Sequence, residues 1–440
     1  MVSRAAILAL LVLVLIPPIT AARDHHGFRA TLTPIQQLSP GKHSDAVRRD
    51  SHRIALLSYA ATAVSKATTN SSVNVQALLE NIQGGYNMNL SIGTPPRTFP
   101  VTVDTGSSLI WTQCAPCTKC FDLPDTPPFQ PASSSTFSKL PCTSNFCQVI
   151  PNSSRSCNAT GCMYHGTYGV GYTAGYLAME TINVGESSFP NVAFGCSTEN
   201  GADNSSSGIV GLNRGPLSLV SQLGVGRFSY CLRSYTDAGE SPILFGSLAN
   251  LTDAKVQSTP LIKNPALTRS SFYYVNLTGI TVGSTDLPIT RTTFAFTETG
   301  LGGGTIVDSG TTLTHLIKEG YAMVRQAFVS QMGNLTAVNG TQFGLDLCFG
   351  TSGGGELQGV PALVLRFEGG AEYAVPRRSY FDVVAVDSRG RPAVECLLVI
   401  PAREDLSISI IGNVLQMDLH VLYDLDGEMF SFAPADCTKV

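Results

Sequence analysis

The sequence predicts an all-β protein made of two pseudo-symmetric lobes with a cleft between them. Short apolar runs alternate with turns rich in glycine and proline, of which the chain has 42 and 25. Only 14% of its residues are charged, and at 440 residues the chain is too long for one compact domain. Two similar motifs recur in the two halves, which favours duplicated lobes over an array of short repeats.

The first 22 residues have the pattern of a signal peptide. Arg4 precedes an apolar run over residues 5–16, and prolines and small residues follow that run. A membrane anchor is the alternative, but the run is shorter than the roughly 20 apolar residues that span a bilayer. We therefore expect a secreted protein with no membrane attachment in its mature form.

Residues 23–78 are predicted to form a prosegment. Residues 23–74 hold seven lysine or arginine side chains and three aspartates, whereas the rest of the chain is acidic on balance. We expect this basic segment to lie across an acidic cleft and to be released when acid neutralises the carboxylates. An alanine-rich stretch near residues 54–66 predicts a helix, and a disordered N-terminal tail is the alternative for the whole segment.

The remaining chain divides into an N-terminal lobe at residues 79–255 and a C-terminal lobe at residues 256–440. Residues 86–92 and 99–103 flank a Gly-Thr-Pro-Pro turn and predict a β-hairpin. Similar strand-like runs recur at residues 272–277, 280–282 and 419–423. The predicted helices cover residues 217–223 and 319–331, the second with an apolar face of Tyr321, Val324, Ala327 and Phe328.

Each lobe carries one copy of the motif that defines the candidate site. Asp104-Thr-Gly and Asp308-Ser-Gly each follow an apolar strand. Gly211, in an Ile-Val-Gly triplet, follows 107 residues after Asp104, and Gly412, in an Ile-Ile-Gly triplet, follows 104 residues after Asp308. One such Asp-containing tripeptide is weak evidence and indicates only a turn, but two copies with matched spacings indicate a shared role.

Asp104 and Asp308 are the candidate catalytic residues. Two carboxyl groups within a few ångströms of each other repel strongly when both are ionised. They therefore share one proton and titrate as a pair. The ionised member can draw a proton from a bridging water, while the protonated member hydrogen-bonds a scissile carbonyl. Gly106 and Gly310 let each loop turn sharply and approach its symmetry mate. This chemistry requires no metal and no other cofactor.

At these motifs the chain resembles the pepsin-like aspartic proteases, and among them the nepenthesin-like plant group. The resemblance covers about residues 80–440 and rests on residues 104–114, 168–175, 194–196, 208–218, 228–231, 308–312 and 411–413, together with the cysteine-rich insertion at 114–162. It implies a bilobal pepsin-like fold and an aspartic endopeptidase that acts at acidic pH on protein or peptide substrates. It also implies a monomer located in the cell wall space or the vacuole.

The resemblance assigns supporting roles to the neighbours of the two aspartates. Thr105 and Ser309 would hydrogen-bond across the lobe junction and lock the two loops together. Ser107 and Thr311 would bond the outer carboxylate oxygens and fix their orientation.

The resemblance also implies a mobile hairpin, the flap, that closes over the substrate cleft. Tyr168 and Gly169 would stand at its tip, with the indole N–H of Trp111 donating to Tyr168. A core aromatic is the alternative for Trp111, the only tryptophan. Val170 and Tyr172 replace residues that are often polar in the family, so the subsite preference of the flap is expected to differ.

Twelve cysteines in a secreted chain predict six disulfides, with a pairing that spacing alone does not give. They are Cys114, Cys117, Cys120, Cys142, Cys147, Cys157, Cys162, Cys196, Cys231, Cys348, Cys396 and Cys437. The first three have metal-ligand spacing, but a zinc site needs a fourth ligand that no nearby histidine pair or second Cys-x-x-Cys supplies. We therefore predict no metal site.

The remaining global features narrow the function classes. A formal net charge of −4 and a pI of about 6.0 leave no basic surface for phosphates, which excludes nucleic acid as an expected partner. Nine Asn-x-Ser/Thr acceptors predict a glycoprotein.

A binding protein on the same fold, similar to plant xylanase inhibitors, is the main alternative to an enzyme, but two intact motifs favour the enzyme. A serine or cysteine protease is disfavoured because the cysteines are expected to be paired and four of the seven histidines lie in the predicted prosegment.

Overall fold

The computed structural model describes residues 27–35, 40–50, 53, 84–123, 125–168, 171–202, 206–237, 239–253, 255–265, 271–300, 302–351, 354–402 and 408–440. The predicted signal peptide, the helix predicted near residues 54–66 and Gly169 at the expected flap tip lie outside these residues. Within them, no helix is long and apolar enough to cross a membrane.

Strands dominate the described chain and number 28. The first thirteen are β1 (Phe28–Pro34), β2 (Tyr86–Ile92), β3 (Arg97–Asp104), β4 (Trp111–Gln113), β5 (Ser138–Lys139), β6 (Arg155–Asn158), β7 (Gly161–Tyr168), β8 (Gly171–Val184), β9 (Ser187–Ala202), β10 (Gly208–Gly211), β11 (Arg227–Cys231), β12 (Ser241–Phe245) and β13 (Gln257–Pro260). The others are β14 (Tyr274–Val275), β15 (Leu277–Val282), β16 (Thr285–Asp286), β17 (Thr305–Val307), β18 (Thr314–Leu316), β19 (Ala337–Val338), β20 (Cys348–Gly350), β21 (Leu363–Phe367), β22 (Glu372–Val375), β23 (Phe381–Val386), β24 (Pro392–Leu397), β25 (Val399–Pro401), β26 (Ser409–Ile411), β27 (Leu419–Asp424) and β28 (Met429–Pro434).

The few α-helices are short except for one. They are α1 (residues 43–50), α2 (Asn145–Gln148), α3 (Leu219–Leu223), α4 (Lys318–Gln331) and α5 (Arg377–Tyr380). Both helices predicted in the lobes are confirmed. Helix α3 begins after Ser218, whose hydroxyl accepts the backbone N–H of Ser221, and ends at the left-handed Gly224. Helix α4 buries the apolar face that its periodicity predicts.

One large sheet joins the two halves of the chain. Its order is β13-β28-β27-β11-β12-β1-β2-β3-β10-β4-β9-β8-β7-β6, with β5 added beside β8. The last two strands of the chain therefore pair beside β11, and the disulfide between Cys231 and Cys437 ties the C-terminus there. Three smaller sheets of five, four and four strands complete the second lobe. The predicted all-β, two-lobed fold is confirmed.

The duplication predicted from the motif spacing is visible in the strand pairing. Strand β3 runs parallel to β10, with Asp104 opposite Gly211, and β10 pairs antiparallel with β4. Strand β17 runs parallel to β26, with Val307 opposite Ile411, and β26 pairs antiparallel with β18. The same three-strand arrangement thus delivers one aspartate in each lobe to the junction between them.

The N-terminal segment is part of this fold. Strand β1 lies between β12 and β2 and buries Phe28, Ala30 and Leu32. Helix α1 packs against the second lobe through Val47, which lies against Gly344, and just before the helix the N–H of Gly41 donates to the carbonyl of Val384 at 2.7 Å. The described part of this segment is thus held in place by a strand in the large sheet and by a docked helix. This arrangement favours an ordered segment over the disordered-tail alternative for these residues.

Candidate active site

Two aspartates meet at the lobe junction. Asp104 is the last residue of β3 and Asp308 directly follows β17, and they are 1% and 0% exposed. Each carboxylate bends back over its own turn, because Oδ1 of Asp104 accepts the N–H of Gly106 at 2.9 Å and Oδ1 of Asp308 accepts that of Gly310 at 3.0 Å. Backbone N–H donors of this kind fix a carboxylate and favour its ionised form.

The turns are locked to each other by reciprocal hydrogen bonds. The N–H of Ser309 donates to Oγ1 of Thr105 at 2.8 Å, and the N–H of Thr105 donates to Oγ of Ser309 at 3.1 Å. The glycines that follow allow this approach: a Cβ on Gly106 would lie 2.8 Å from a carboxylate oxygen of Asp308, and one on Gly310 would lie 2.4 Å from Asp104. Larger residues would therefore separate the two carboxylates.

The outer sides of the two carboxylates differ. Thr311 donates its hydroxyl to Oδ2 of Asp308 at 2.6 Å. The hydroxyl of Ser107, beside Asp104, is buried and has no hydrogen-bond partner among the described residues. The two halves of the site are therefore similar in backbone but not identical in their polar contacts.

A single arginine from the N-terminal segment covers both aspartates. Nη2 of Arg53 lies 2.5 Å from Oδ1 of Asp104 and 3.0 Å from Oδ1 of Asp308, and its Nε lies 2.9 Å from Oδ2 of Asp308. The side chain is 11% exposed. Burial alone would lower the pKa of Arg53, but the two carboxylates hold it above its usual value, so the guanidinium stays charged. In this structure Arg53 occupies the space where a reacting group would have to sit.

The two carboxyl groups have opposite pKa shifts. Burial opposes ionisation of Asp104, but the charge of Arg53 and its hydrogen bonds outweigh burial and lower the pKa of Asp104. Burial and the repulsion of Asp104 raise the pKa of Asp308, although Arg53 acts against them. Asp104 is therefore the favoured ionised member and Asp308 the favoured proton carrier in this state.

Asp50 forms a second anchor between the N-terminal segment and the site. Its carboxylate is fully buried and accepts the backbone N–H groups of Thr312 at 2.9 Å and Leu313 at 2.6 Å. Nε2 of His315 and Nη2 of Arg49 each lie 3.6 Å from this carboxylate. Although burial opposes ionisation, these partners lower the pKa of Asp50. An acidic side chain, as well as basic ones, therefore fastens helix α1 to the Asp308 loop.

The hairpin β7–β8 carries Tyr168 and Tyr172 on opposite faces. Tyr168 lies against Trp111, with ring centroids 6.1 Å apart. The indole N–H of Trp111 has no hydrogen-bond partner in the described part of the chain, so here the two side chains meet through their rings. Tyr172 faces away from them and donates to Glu199 at 2.7 Å, which argues against a direct contact of its ring with a substrate beneath Tyr168.

All twelve cysteines form disulfides, as predicted. The pairs are Cys114–Cys196, Cys117–Cys120, Cys142–Cys157, Cys147–Cys162, Cys231–Cys437 and Cys348–Cys396. The first three cysteines are thereby committed to disulfides, which removes the zinc alternative for that run. Three of the six bonds lie within the insertion at residues 114–162, and a fourth joins its first cysteine to Cys196 on β9.

Comparisons with known proteins give a consistent result. The xylanase inhibitor N-terminal family model matches residues 86–247 and the xylanase inhibitor C-terminal model matches residues 272–434. Aspartic proteinase nepenthesin-1 of Nepenthes gracilis is 40% identical, over 89% of this chain and 85% of its own length. Nepenthesin-2 of the same plant is 39% identical, over 94% of this chain and 92% of its own length. This chain belongs to the pepsin-like aspartic protease family.

Solved structures agree with this membership at the level of the fold. The crystal structure of edgp superimposes with a TM-score of 0.65 over 81% of this chain and 92% of that one, at 21% identity. As in sequence, the likeness extends over both lobes.

In this aspartic protease the sequence motifs identified the two aspartates but not the groups that surround them. Asp50 carries no local signal, because an acidic residue in a basic segment gives no indication that it will be buried. Arg53 stands in a cluster of basic residues, and nothing local distinguishes it from Arg48 and Arg49.

Proposed function

We propose that this chain is the precursor of an aspartic endopeptidase that hydrolyses peptide bonds of protein substrates at acidic pH. The observation that carries the proposal is the pair of buried aspartates, delivered by symmetric loops and contacted by one guanidinium nitrogen. Membership of a family with named aspartic proteinases at 39–40% identity supports it.

The proposed mechanism requires a water between Asp104 and Asp308 once Arg53 has left. The ionised carboxylate takes a proton from that water as it attacks the scissile carbonyl carbon. The protonated carboxyl donates to the carbonyl oxygen and stabilises the tetrahedral intermediate. Proton transfer to the leaving nitrogen then releases both products and restores one shared proton. No covalent intermediate forms on the protein.

The decisive experiment is digestion of a denatured protein at acidic pH by the matured chain, with and without pepstatin. Peptide products that pepstatin abolishes are expected. A properly folded, shortened chain that yields no products would favour the alternative, a binding protein of the kind named in the matching family models.

We propose further that residues 23–78 form a prosegment preceding lobes at 79–255 and 256–440. Arg53 on the two aspartates and Asp50 on the Asp308 loop support it, because a substrate cannot reach the site while both contacts hold. Self-cleavage near residues 70–85 would release the segment in acid. The proposal includes removal of residues 1–22, secretion to the cell wall space or the vacuole, glycosylation, and a monomeric mature enzyme without nucleic-acid partners.

His43 on helix α1 is predicted to make release of the prosegment sensitive to acid. Its ring is 1% exposed, neither nitrogen has a partner among the described residues, and burial lowers its pKa from 6.5 to about 4. His43 is therefore harder to protonate while the segment is docked than after the segment is released. The docked precursor is not destabilised by this effect above about pH 6.5. As the pH falls to about 4, the effect grows to roughly 3 kcal/mol.

The variant His43→Leu should therefore mature only at lower pH than the wild type. Leu fills the buried position without a titratable group. Opening of the precursor should therefore be coupled to the uptake of up to about one proton fewer than in the wild type. The measurement is the rate of precursor shortening between pH 3 and pH 7. The matured enzymes serve as the internal control, because both lack residue 43. An unchanged pH midpoint would contradict a role for His43.

Tyr168 is predicted to act in catalysis rather than in stability. The residue is only partly covered and stands at the described end of a hairpin, so Tyr168→Ala should lower kcat/KM by about 10- to 100-fold. The thermal midpoint should change little. Kinetics and thermal unfolding of the same preparation test this, and normal kinetics with a large loss of stability would identify Tyr168 as a core residue.

A further inference from the structure

A buried amide side chain lies beneath the Asp308 turn. Asn413 directly follows the Ile-Ile-Gly triplet of the second lobe and is 0% exposed. Its backbone N–H donates to the carbonyl of Thr311 at 2.8 Å, and its Nδ2 donates to the carbonyl of Ser309 at 2.9 Å. Asn413 therefore holds the turn on both sides of Gly310.

The same amide also reaches the first lobe. Nδ2 of Asn413 donates to the carbonyl of Gly84 at 3.1 Å, although the two residues are 329 positions apart. Gly84 leads into β2, which pairs with β3, the strand that ends at Asp104. One side chain thus connects the turn that carries Asp308 with the hairpin that carries Asp104.

The position of Gly84 depends on its lack of a side chain. Its φ is +95°, and a Cβ there would lie 2.4 Å from Cγ2 of Thr312. Its carbonyl also accepts the hydroxyl of Thr312 at 2.9 Å and, in the precursor, Nη2 of Arg49 at 2.6 Å. Thr312 and Asn413 stay in the chain when the prosegment is removed, so a matured chain that keeps Gly84 also keeps this connection.

Hydrogen-bond chemistry fixes the orientation of the Asn413 amide. Carbonyl oxygens only accept, so the NH₂ group must face Ser309 and Gly84. The amide oxygen then accepts the hydroxyl of Tyr235 at 2.6 Å. Neither a carboxyl group nor an aliphatic side chain at this position can make all three bonds.

Tyr235 is itself held in place by Tyr86 on β2. Their rings are stacked, with centroids 5.2 Å apart and planes 22° apart, and the hydroxyl of Tyr86 donates to the carbonyl of Arg233 at 2.7 Å. Burial raises the pKa of both tyrosines, so neither titrates in the acidic range where carboxyl groups do. The charges that act on Tyr235, those of Arg49 and Asp50, belong to the predicted prosegment and leave with it.

We propose that Asn413, oriented by Tyr235, is a positioning residue of the active site that holds the Asp308 turn against the Asp104 hairpin through its bonds to Ser309 and Gly84. The inference rests on the proposed peptidase function. Neither side chain hydrogen-bonds a carboxyl group of the catalytic pair within the described residues. Their loss should therefore change kcat and the pH dependence of the rate, and not KM.

The first test is Asn413→Ala in the matured enzyme. We expect kcat per active site, titrated with pepstatin, to fall about tenfold with KM within about twofold. The pH–rate profile should shift, because the pKa values of the two carboxyl groups depend on their spacing. Unchanged kcat and pH profile would overturn the inference.

Asn264→Ala is the matched control for Asn413→Ala. The amide of Asn264 is also buried and donates to a backbone carbonyl, that of Gly300 at 2.8 Å, which lies in neither aspartate turn. This variant should lose stability but keep kcat and the pH profile. If it lowers kcat as much as Asn413→Ala does, the effect comes from general loss of packing and the inference fails.

Asn413→Asp separates the lost hydrogen bonds from lost packing, because the side chain keeps its shape. A protonated carboxyl group can still donate one bond, whereas an ionised one presents its charge to two carbonyl oxygens. The kcat of this variant relative to the wild type should therefore fall as the pH rises above about 4. Thermal unfolding at each pH shows whether the chain stays folded, and a constant ratio in the folded variant would contradict the inference.

Tyr235→Phe is a milder variant, because it removes one hydroxyl and keeps the stacked ring. It should lower kcat about threefold, with little further effect in an Asn413→Ala background. Unchanged kcat, or effects that multiply independently, would overturn the inference. N-terminal analysis of the matured wild type would also overturn it if the chain began after Gly84, whereas lack of peptidase activity in that enzyme would instead reject the proposed function.

Discussion

Replacement of Asp104 or Asp308 by Asn is expected to lower kcat/KM by about 10³-fold or more while leaving folding and secretion intact. An amide can neither accept the proton of the attacking water nor take part in the shared titration of the pair. The change is nearly isosteric, and backbone N–H groups that donate to Oδ1 can still donate to an amide oxygen. The measurement is steady-state hydrolysis of a peptide substrate across the acidic pH range.

The matched control is Asp253→Asn, which changes an exposed turn residue in the same way and should leave the rate unaffected. Because neither Asn variant can process itself, the prosegment must be removed by an added protease before the assay. Substantial turnover by either variant after that treatment would contradict the assignment of the two aspartates.

Replacement of Arg53 by Ala is expected to open the precursor at least about 100-fold more often than in the wild type. Breaking a buried ion pair on one side costs about 3–5 kcal/mol, and the closed form loses Arg53's contacts with both carboxylates. The precursor should therefore shorten faster and over a wider pH range. Intact mass and N-terminal analysis after a shift from neutral to acidic pH give the rate.

Arg48→Ala serves as the control for Arg53→Ala, because Arg48 lies in the same basic cluster but its side chain is 54% exposed, and among the described residues its one ion pair is with Asp45 at 3.6 Å. It should mature at the wild-type rate. If Arg53→Ala is not secreted, Arg53→Lys keeps the charge but loses the planar fork that reaches both carboxylates. Equal maturation rates for the Arg53 and Arg48 variants would show that the contact with the aspartates does not hold the segment closed.

The proposed acid switch differs from the expectation based on net charge. A basic segment over an acidic cleft would be held by many similar attractions, but in the described part of the segment the contacts with the two aspartate loops come from Arg49, Asp50 and Arg53. The pKa values of Asp50 and Asp104 are both lowered in the docked state, so their stabilisation is complete above their ordinary values and is lost as pH falls towards the lowered ones. The raised pKa of Asp308 acts in the opposite sense, and the lowered pKa of His43 adds to the effect of acid.

Sequence alone determined the fold class and the duplication, and it singled out the two aspartates that meet at the lobe junction. These features can be read from short stretches of sequence, because strand alternation, turn glycines and the two tripeptides each involve only a few neighbouring residues. The six disulfides were predicted from the even number of cysteines. The pairing was undetermined, because Cys231 and Cys437 are 206 residues apart and meet only through the shared sheet.

Only the tertiary structure decided which members of similar groups matter. Residue type does not distinguish Arg48, Arg49 and Arg53. Of the three, only Arg53 contacts both aspartates, because the docking of α1 directs it into the lobe junction. The burial of Asp50 beneath the Asp308 loop likewise joins residues from distant parts of the chain. Such contacts depend on how strands far apart in sequence are brought together, which composition and periodicity do not encode.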